Sequence, residues 1–275
     1  MRRHILLPTD FSENAWSAAR YAMHLYAEKE CTFYFIHSTQ IKVATMSNLS
    51  NKLLEVMTKN DTDELYELKK KAENSRTNSS HRFEIALSHE DLLSAIERAI
   101  NTFNIDLVVM GTKGVTKASD IFFGSNTVQI IKKLKQCPVL AVPDDFDFVT
   151  PEEIAFPTGF ERFYGDELTP IKQLSELHGS KIRIVHIDDE DNLSESQSYN
   201  LAMLKAYMED YPHQFHWIQE YDQKSNGINE FIDEFDINIL AMINYKHSLM
   251  ERIVNEPVIK KIGFHPKIPF LVIPA

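Results

Sequence analysis

A second copy of the chain's own opening pattern constrains the fold more than any other feature. Pro8-Thr9-Asp10-Phe11 recurs as Pro157-Thr158-Gly159-Phe160, and His37 recurs as His186, both displaced by 149 positions with no gap between the landmarks. Further along, Ile105-Asp106-Leu107 answers to Ile237-Asn238-Ile239, and Lys132-Lys133 to Lys260-Lys261. The run Pro138-Val139-Leu140-Ala141-Val142-Pro143 answers to Pro269-Phe270-Leu271-Val272-Ile273-Pro274. Two tandem copies account for the 275 residues, and each is long enough to bury a core of its own. The expected boundaries are 1–143 for the first copy, an acidic linker over 144–151, and 152–275 for the second.

Within the first copy, apolar runs alternate with helical patterns. His4-Ile5-Leu6-Leu7 reads as a short buried strand, and Ser12 caps an amphipathic helix whose small face carries Ala15, Ala18, Ala19, Ala22 and Leu25. Strands follow over Thr32–His37 and Arg82–Leu87, separated by a long polar helical stretch from about Ser47 to Ala72. A helix over Glu90–Phe103, a strand over Ile105–Met110, a helix from Ser125 to about Lys135 and a strand over Val139–Val142 complete the unit. Strands alternating with helices mean a parallel sheet wound on both faces by right-handed crossovers.

The glycines mark where chemistry belongs. The chain has eight, none before Gly111, and three fall at Gly111, Gly114 and Gly124. A buried strand ending in Met110, then these glycines, then a helix beginning at Ser125 predicts backbone freedom there, with unpaired amides and a helix dipole gathered around an anion. The pattern is not a Walker A loop, because no Gly-Lys-Ser/Thr closes it, nor a dinucleotide Gly-x-Gly-x-x-Gly turn.

Gly-x2-Gly-x9-Gly-Ser after Ile-Asp-Leu-Val-Val-Met, with the Lys-Lys pair and the Cys137-Pro138-Val139-Leu140-Ala141-Val142-Pro143 exit, resembles the ATP-binding members of the universal stress protein family. Through the repeat, that resemblance covers nearly the whole chain. It implies two tandem Rossmann-like α/β domains of the adenine nucleotide alpha hydrolase type, each a five-stranded parallel sheet of order 3-2-1-4-5. In such a sheet ligands sit beyond the carboxyl ends of strands one and four. The implied nucleotide site is Pro8, Thr9, Asp10, Ser38, Met110, Gly111, Lys113, Gly114, Gly124, Ser125, Asn126 and Thr127. Its ligand would be ATP, or AMP or ADP, with Mg²⁺ held through the phosphates. The resemblance further implies that the two copies pair within the chain as family members pair through their fifth strands, with a homodimer of whole chains as a further option.

Each residue has a local role to set against that one. Asp10 also suits an Asx turn, Ser125 a helix cap, Gly111 and Gly124 plain turns, and Lys113 and Lys117 solvated loop positions. His37 and His186 each stand alone at a strand end, without the Cys, Asp or Glu neighbours of a metal site, and read as structural. His213 and His216, three apart in a strand, point to opposite faces. Met46, Met57 and Met110 read as packing residues.

The second copy departs where it matters. Met110-Gly111-Thr112-Lys113-Gly114 becomes Met242-Ile243-Asn244-Tyr245-Lys246, Asp10 becomes Gly159, and no glycine lies between Gly227 and Gly263. Ile243 is expected to exclude a phosphate. His37 to Asp106 spans 69 positions but His186 to Asn238 only 52, so the second copy has lost most of the stretch after its second strand.

Composition excludes several classes. A net charge of −11 and a pI near 5.5, without a cluster of basic and aromatic residues, argue against nucleic acid; Lys69-Lys70-Lys71 sits in an acidic helical face. No run approaches a membrane span, and Arg2-Arg3 is not followed by a signal core, so a cytoplasmic location is expected. Cys31 and Cys137 border apolar strands as small buried side chains. No general base, nucleophile elbow or arginine finger is placed by spacing, so binding without efficient turnover is expected, with a nucleotide-free interaction module or a slow ATPase as alternatives.

Overall fold

A computed structural model describes residues 2–39, 51–112, 124–218, 224–245 and 267–275, though not the side chains of 51–53 and 224–226. These residues fall into two compact units, the first ending at Phe148 and the second beginning at Val149.

In the first unit the elements are β1 (Arg3–Pro8), α1 (Glu13–Leu25), β2 (Cys31–Ser38), α2 (Asn51–Asn74), β3 (Arg82–Ser88), α3 (Leu92–Phe103), β4 (Leu107–Gly111), α4 (Ser125–Lys133) and β5 (Val139–Val142). Its strands are parallel in the order β3-β2-β1-β4-β5, as expected. Ile5 lies opposite both Phe33 and Leu107, which puts β1 at the centre. Ile5, Leu6 and Leu7 are all buried because helices cover both faces of the sheet. Each such side chain contributes about 1.5–3 kcal/mol by leaving water. Helix α1 starts where the Ser12 cap places it, with the Ser12 hydroxyl accepting from Ala15 N at 3.2 Å. Ala18, Ala19 and Ala22 are buried, so nothing larger than a methyl separates this side of α1 from its neighbours.

The acidic stretch after β5 is not a bare tether. Phe146 and Phe148 set their rings 5.9 and 5.4 Å from Tyr21, and Phe148 stacks on His24 at 5.4 Å. Both aromatics belong to the first unit.

The second unit comprises β6 (Glu153–Pro157), α5 (Thr169–His178), β7 (Lys181–Ile187), α6 (Glu195–Tyr207), β8 (His213–Ile218), α7 (Lys224–Glu234), β9 (Ile239–Asn244) and β10 (Phe270–Pro274). Its strands are also parallel, in the order β8-β7-β6-β9-β10, the same topology again. The shortening read from the sequence falls on the helix after the second strand: α2 has 24 residues and α6 has 13. Lys260-Lys261 lie outside the described residues.

The Asp106/Asn238 correspondence now has a reason. At the start of β4, an Asp106 carboxylate oxygen accepts from His4 N at 2.8 Å. At the start of β9, the Asn238 carboxamide oxygen accepts from Glu152 N and Glu153 N at 2.8 and 2.9 Å. Each side chain fastens the central strand at the sheet end opposite the expected crevice.

Candidate functional site

The site is built from the carboxyl ends of β1, β2 and β4 and the start of α4. At the end of β1, Thr9 N continues the ladder to Ile36 O at 2.9 Å, and the Thr9 hydroxyl then accepts from Phe11 N at 3.0 Å. Phe11 takes a positive φ of 61°, a region that bulky side chains rarely enter. It is held there by His37, whose ring centroid lies 4.5 Å from that of Phe11 and whose Nδ1 is 2.8 Å from Thr9 O. A carbonyl only accepts, so Nδ1 carries the hydrogen. The structural role expected of His37 is therefore specific: it fastens the turn that carries Asp10.

Asp10 is exposed at the crest of that turn. Its Oδ1 accepts from Ser12 N at 3.1 Å and from the Ser12 hydroxyl at 2.5 Å, the local role weighed for it. Ser38, at the end of β2, spends its hydroxyl on Glu90 O at 2.6 Å. Its side chain is committed to the scaffold.

At β4, Met110 is buried and Gly111 closes the strand opposite Val142. The sequence argument assigned Gly111 a need for backbone freedom; the structure assigns it a different one. Among the described residues the one glycine with positive φ is Gly179, and Gly111 is required by proximity. A Cβ built on Gly111 would stand 2.7 Å from Asn14 Cγ and 2.8 Å from Asn14 O, closer than real contacts allow. Gly114, Lys113 and Lys117 lie outside the described residues.

Helix α4 begins with Gly124 as its N-cap, with no side-chain hydrogen bond to the first turn and no acidic residue in it. Ser125 and Asn126 are exposed. A helix start without a side-chain cap leaves amides seeking an acceptor at the positive end of the dipole. An anion meets both needs. Thr127, by contrast, is buried, and its hydroxyl donates to Gly111 O at 3.0 Å. It ties α4 to the end of β4. The thiols are remote from this chemistry: burial pushes both Cys31 and Cys137 up to about 12, which keeps them protonated and unreactive.

In the second unit the corresponding turn is retained. Phe160 has φ 52°, stacks on His186 at 4.8 Å, and His186 Nδ1 lies 2.8 Å from Thr158 O. Gly159 O, at the position matching Asp10, accepts from Gln197 Nε2 at 2.9 Å. The crest itself is closed. Tyr164, 2% exposed, places its hydroxyl 2.8 Å from that of Thr158 and 3.5 Å from that of Tyr245. The Arg162 guanidinium covers the Tyr245 ring at 5.4 Å and pairs with Glu167. Burial pushes the Tyr164 hydroxyl well above the usual phenol range, so it remains a neutral donor and acceptor.

Sequence reasoning missed Asn14 and Tyr164. Asn14 carried a faint signal, as a polar residue among the alanines of a helix's first turns. Tyr164 carried one too, because Pro170 marks a helix start seven residues later than the repeat would place it.

Parallel α/β units of this order, with an uncapped helix start tied to a strand-end glycine, define a Rossmann-like class. The universal stress protein family model matches residues 1–143, and the chain belongs to that family. A universal stress protein of Methanocaldococcus jannaschii is 27% identical over 159 residues, covering 52% of this chain and 95% of the relative. A second one from the same organism is 28% identical over 143 residues, covering 51% and 81%. Over the whole chain, the crystal structure of a universal stress protein from Archaeoglobus fulgidus superposes with TM-score 0.76 at 18% identity, covering 98% of each chain. A putative universal stress protein of Pseudomonas aeruginosa gives 0.60 at 9% identity, covering 99% and 93%. These two structural likenesses speak to fold.

No helix among the described residues is long and apolar enough to cross a membrane.

Proposed function

We propose that the first unit binds ATP, or a related adenine nucleotide, in the crevice between the ends of β1 and β4, as a cytoplasmic stress-response protein that holds the nucleotide without turning it over efficiently. The observation that carries this reading is the start of α4, which lacks a side-chain cap and an acidic first turn and lies against Gly111 through Thr127. The amides of Ser125 and Asn126 would receive the phosphates, and Mg²⁺ would arrive with them. Asp10 keeps one carboxylate oxygen beyond its bonds to Ser12, placed to accept from the ribose hydroxyls. Ser38, its hydroxyl engaged with Glu90, would contribute through its main chain.

The second unit acts as a structural partner and not as a second nucleotide site, because Tyr164 fills the corresponding crest and Ile243 stands where the first unit has Gly111. Equilibrium titration with a fluorescent ATP analogue tests both halves. One mole of analogue per chain is expected, reduced at least tenfold in affinity by Gly124→Val; absence of saturable binding by the wild type, or two moles per chain, overturns the reading.

A further inference from the structure

Helix α6 of the second unit is apolar on two sides. Leu201 and Leu204 are buried within the unit, as an amphipathic helix requires. On another side Tyr199, Met203 and Tyr207 recur every fourth residue, which sets them in one stripe about 12 Å long. Tyr199 is 65% exposed and Met203 37%, with Ala202 and Ala206 exposed beside them. Phe163, 43% exposed, extends the stripe from outside the helix, its ring meeting that of Tyr207 edge-on at 6.4 Å. Apolar surface gathered in this way, and not scattered singly, marks an interaction site. On α2, the counterpart in the first unit, the exposed Val56 and Tyr66 stand about 15 Å apart along the helix and form no such stripe.

The far end of the stripe is held in place beforehand. Lys172 Nζ lies 3.7 Å from the Tyr207 ring centroid and 4.5 Å from that of Tyr211, and it donates to Tyr207 O at 3.4 Å. The Tyr211 hydroxyl in turn donates to Glu176 at 2.7 Å. A wall already ordered costs little to order on binding. Met203 supplies the adaptable centre.

Charge decides the occupant. Exposed carboxylates stand at both ends of α6, Glu195 at its start and Glu209 and Asp210 just past its close. The nearby cations are engaged: Lys172 on the tyrosines, and Lys205 with Glu190 at 3.6 Å. A second copy of this helix would set acid against acid in either orientation, which disfavours self-pairing. We propose that the α6 stripe receives an amphipathic helix of a partner protein, apolar along one side and carrying Lys or Arg at its ends.

The test is fluorescence anisotropy of a labelled helical peptide of about 14 residues, with leucines along one side and lysines at both ends, titrated with the full chain. A second peptide carries glutamates in place of the lysines. Expected is saturable binding of the basic peptide, weakened about tenfold or more by Tyr199→Ser combined with Met203→Ser, and by a similar factor on going to the acidic peptide. The pair Glu209→Lys and Asp210→Lys, which leaves the stripe intact, is expected to weaken binding of the basic peptide about threefold. No binding by the wild type, equal binding of the two peptides, or binding that neither pair of substitutions diminishes overturns the inference. So does sedimentation showing that the wild type self-associates and that the Tyr199→Ser, Met203→Ser chain does not, because the stripe is then covered by a second copy.

Discussion

The two units keep the same turn and differ in what stands above it. In both, a threonine, a histidine and a phenylalanine in the left-handed region form a closed set of local contacts at the end of the central strand. In the first, the following helix begins at Glu13 and presses Asn14 against a glycine. In the second, the helix waits until Thr169, and the intervening chain folds Tyr164 back between the ends of β6 and β9. The difference teaches that what stands above this turn depends on where one helix starts, with the strand order unchanged beneath it.

That comparison breaks most visibly at Tyr164. Tyr164→Ala removes a buried ring that meets Phe156 edge-on at 5.4 Å and leaves the Thr158 hydroxyl with only its bond from Phe160 N, so a loss of about 3–5 kcal/mol is expected in chemical unfolding of the full chain. A loss below about 1 kcal/mol would show that the crest is not filled as described. Gly111→Ala sharpens the other side. The added methyl has no room beside Asn14, and overpacking of this sort costs about 1–3 kcal/mol. The substitution should also abolish nucleotide binding, and Asn14→Ala in the same chain should restore part of the lost stability but not all, because Asn14 O remains 2.8 Å from the new Cβ position.

The smallest effect is one of pH, and in the second unit it falls on His216. Desolvation, with Arg183 and Lys181 nearby, lowers the His216 pKa, against a weaker opposing pull from Glu153. A depressed folded-state value means that the unfolded chain binds the proton more readily, so this contribution to stability is full above the ordinary histidine value of about 6.5 and declines as pH falls below it. Thermal unfolding followed from pH 7.5 to 5.5 should therefore lose less midpoint temperature in His216→Phe than in wild type. Parallel curves would show that His216 does not report on that unit's stability.

Much of the architecture was legible in the sequence. The displacement of 149 located both central strands and both fastening histidines, because an alternating α/β pattern repeats its landmarks wherever its strands repeat. The Ser12 cap placed α1 to the residue. What escaped reading was contact across distance. Gly111 looked like a residue in need of unusual dihedrals, yet its requirement comes from Asn14, 97 positions earlier, and no local pattern encodes a neighbour that far away. Thr127 entered the expected nucleotide site by position alone, and no local pattern says that its hydroxyl faces a carbonyl of β4. Tyr164 was hard to read for a related reason: its place depends on α5 starting at Thr169, which only Pro170 signals locally.

The threonine-histidine-phenylalanine turn has an evolutionary consequence. Each copy folds this corner with its own side chains and asks nothing of a bound molecule, so the scaffold persists whatever stands above it. A side chain such as Tyr164 that fills the second crest is then favoured by folding itself, because its burial adds to the stability of the unit.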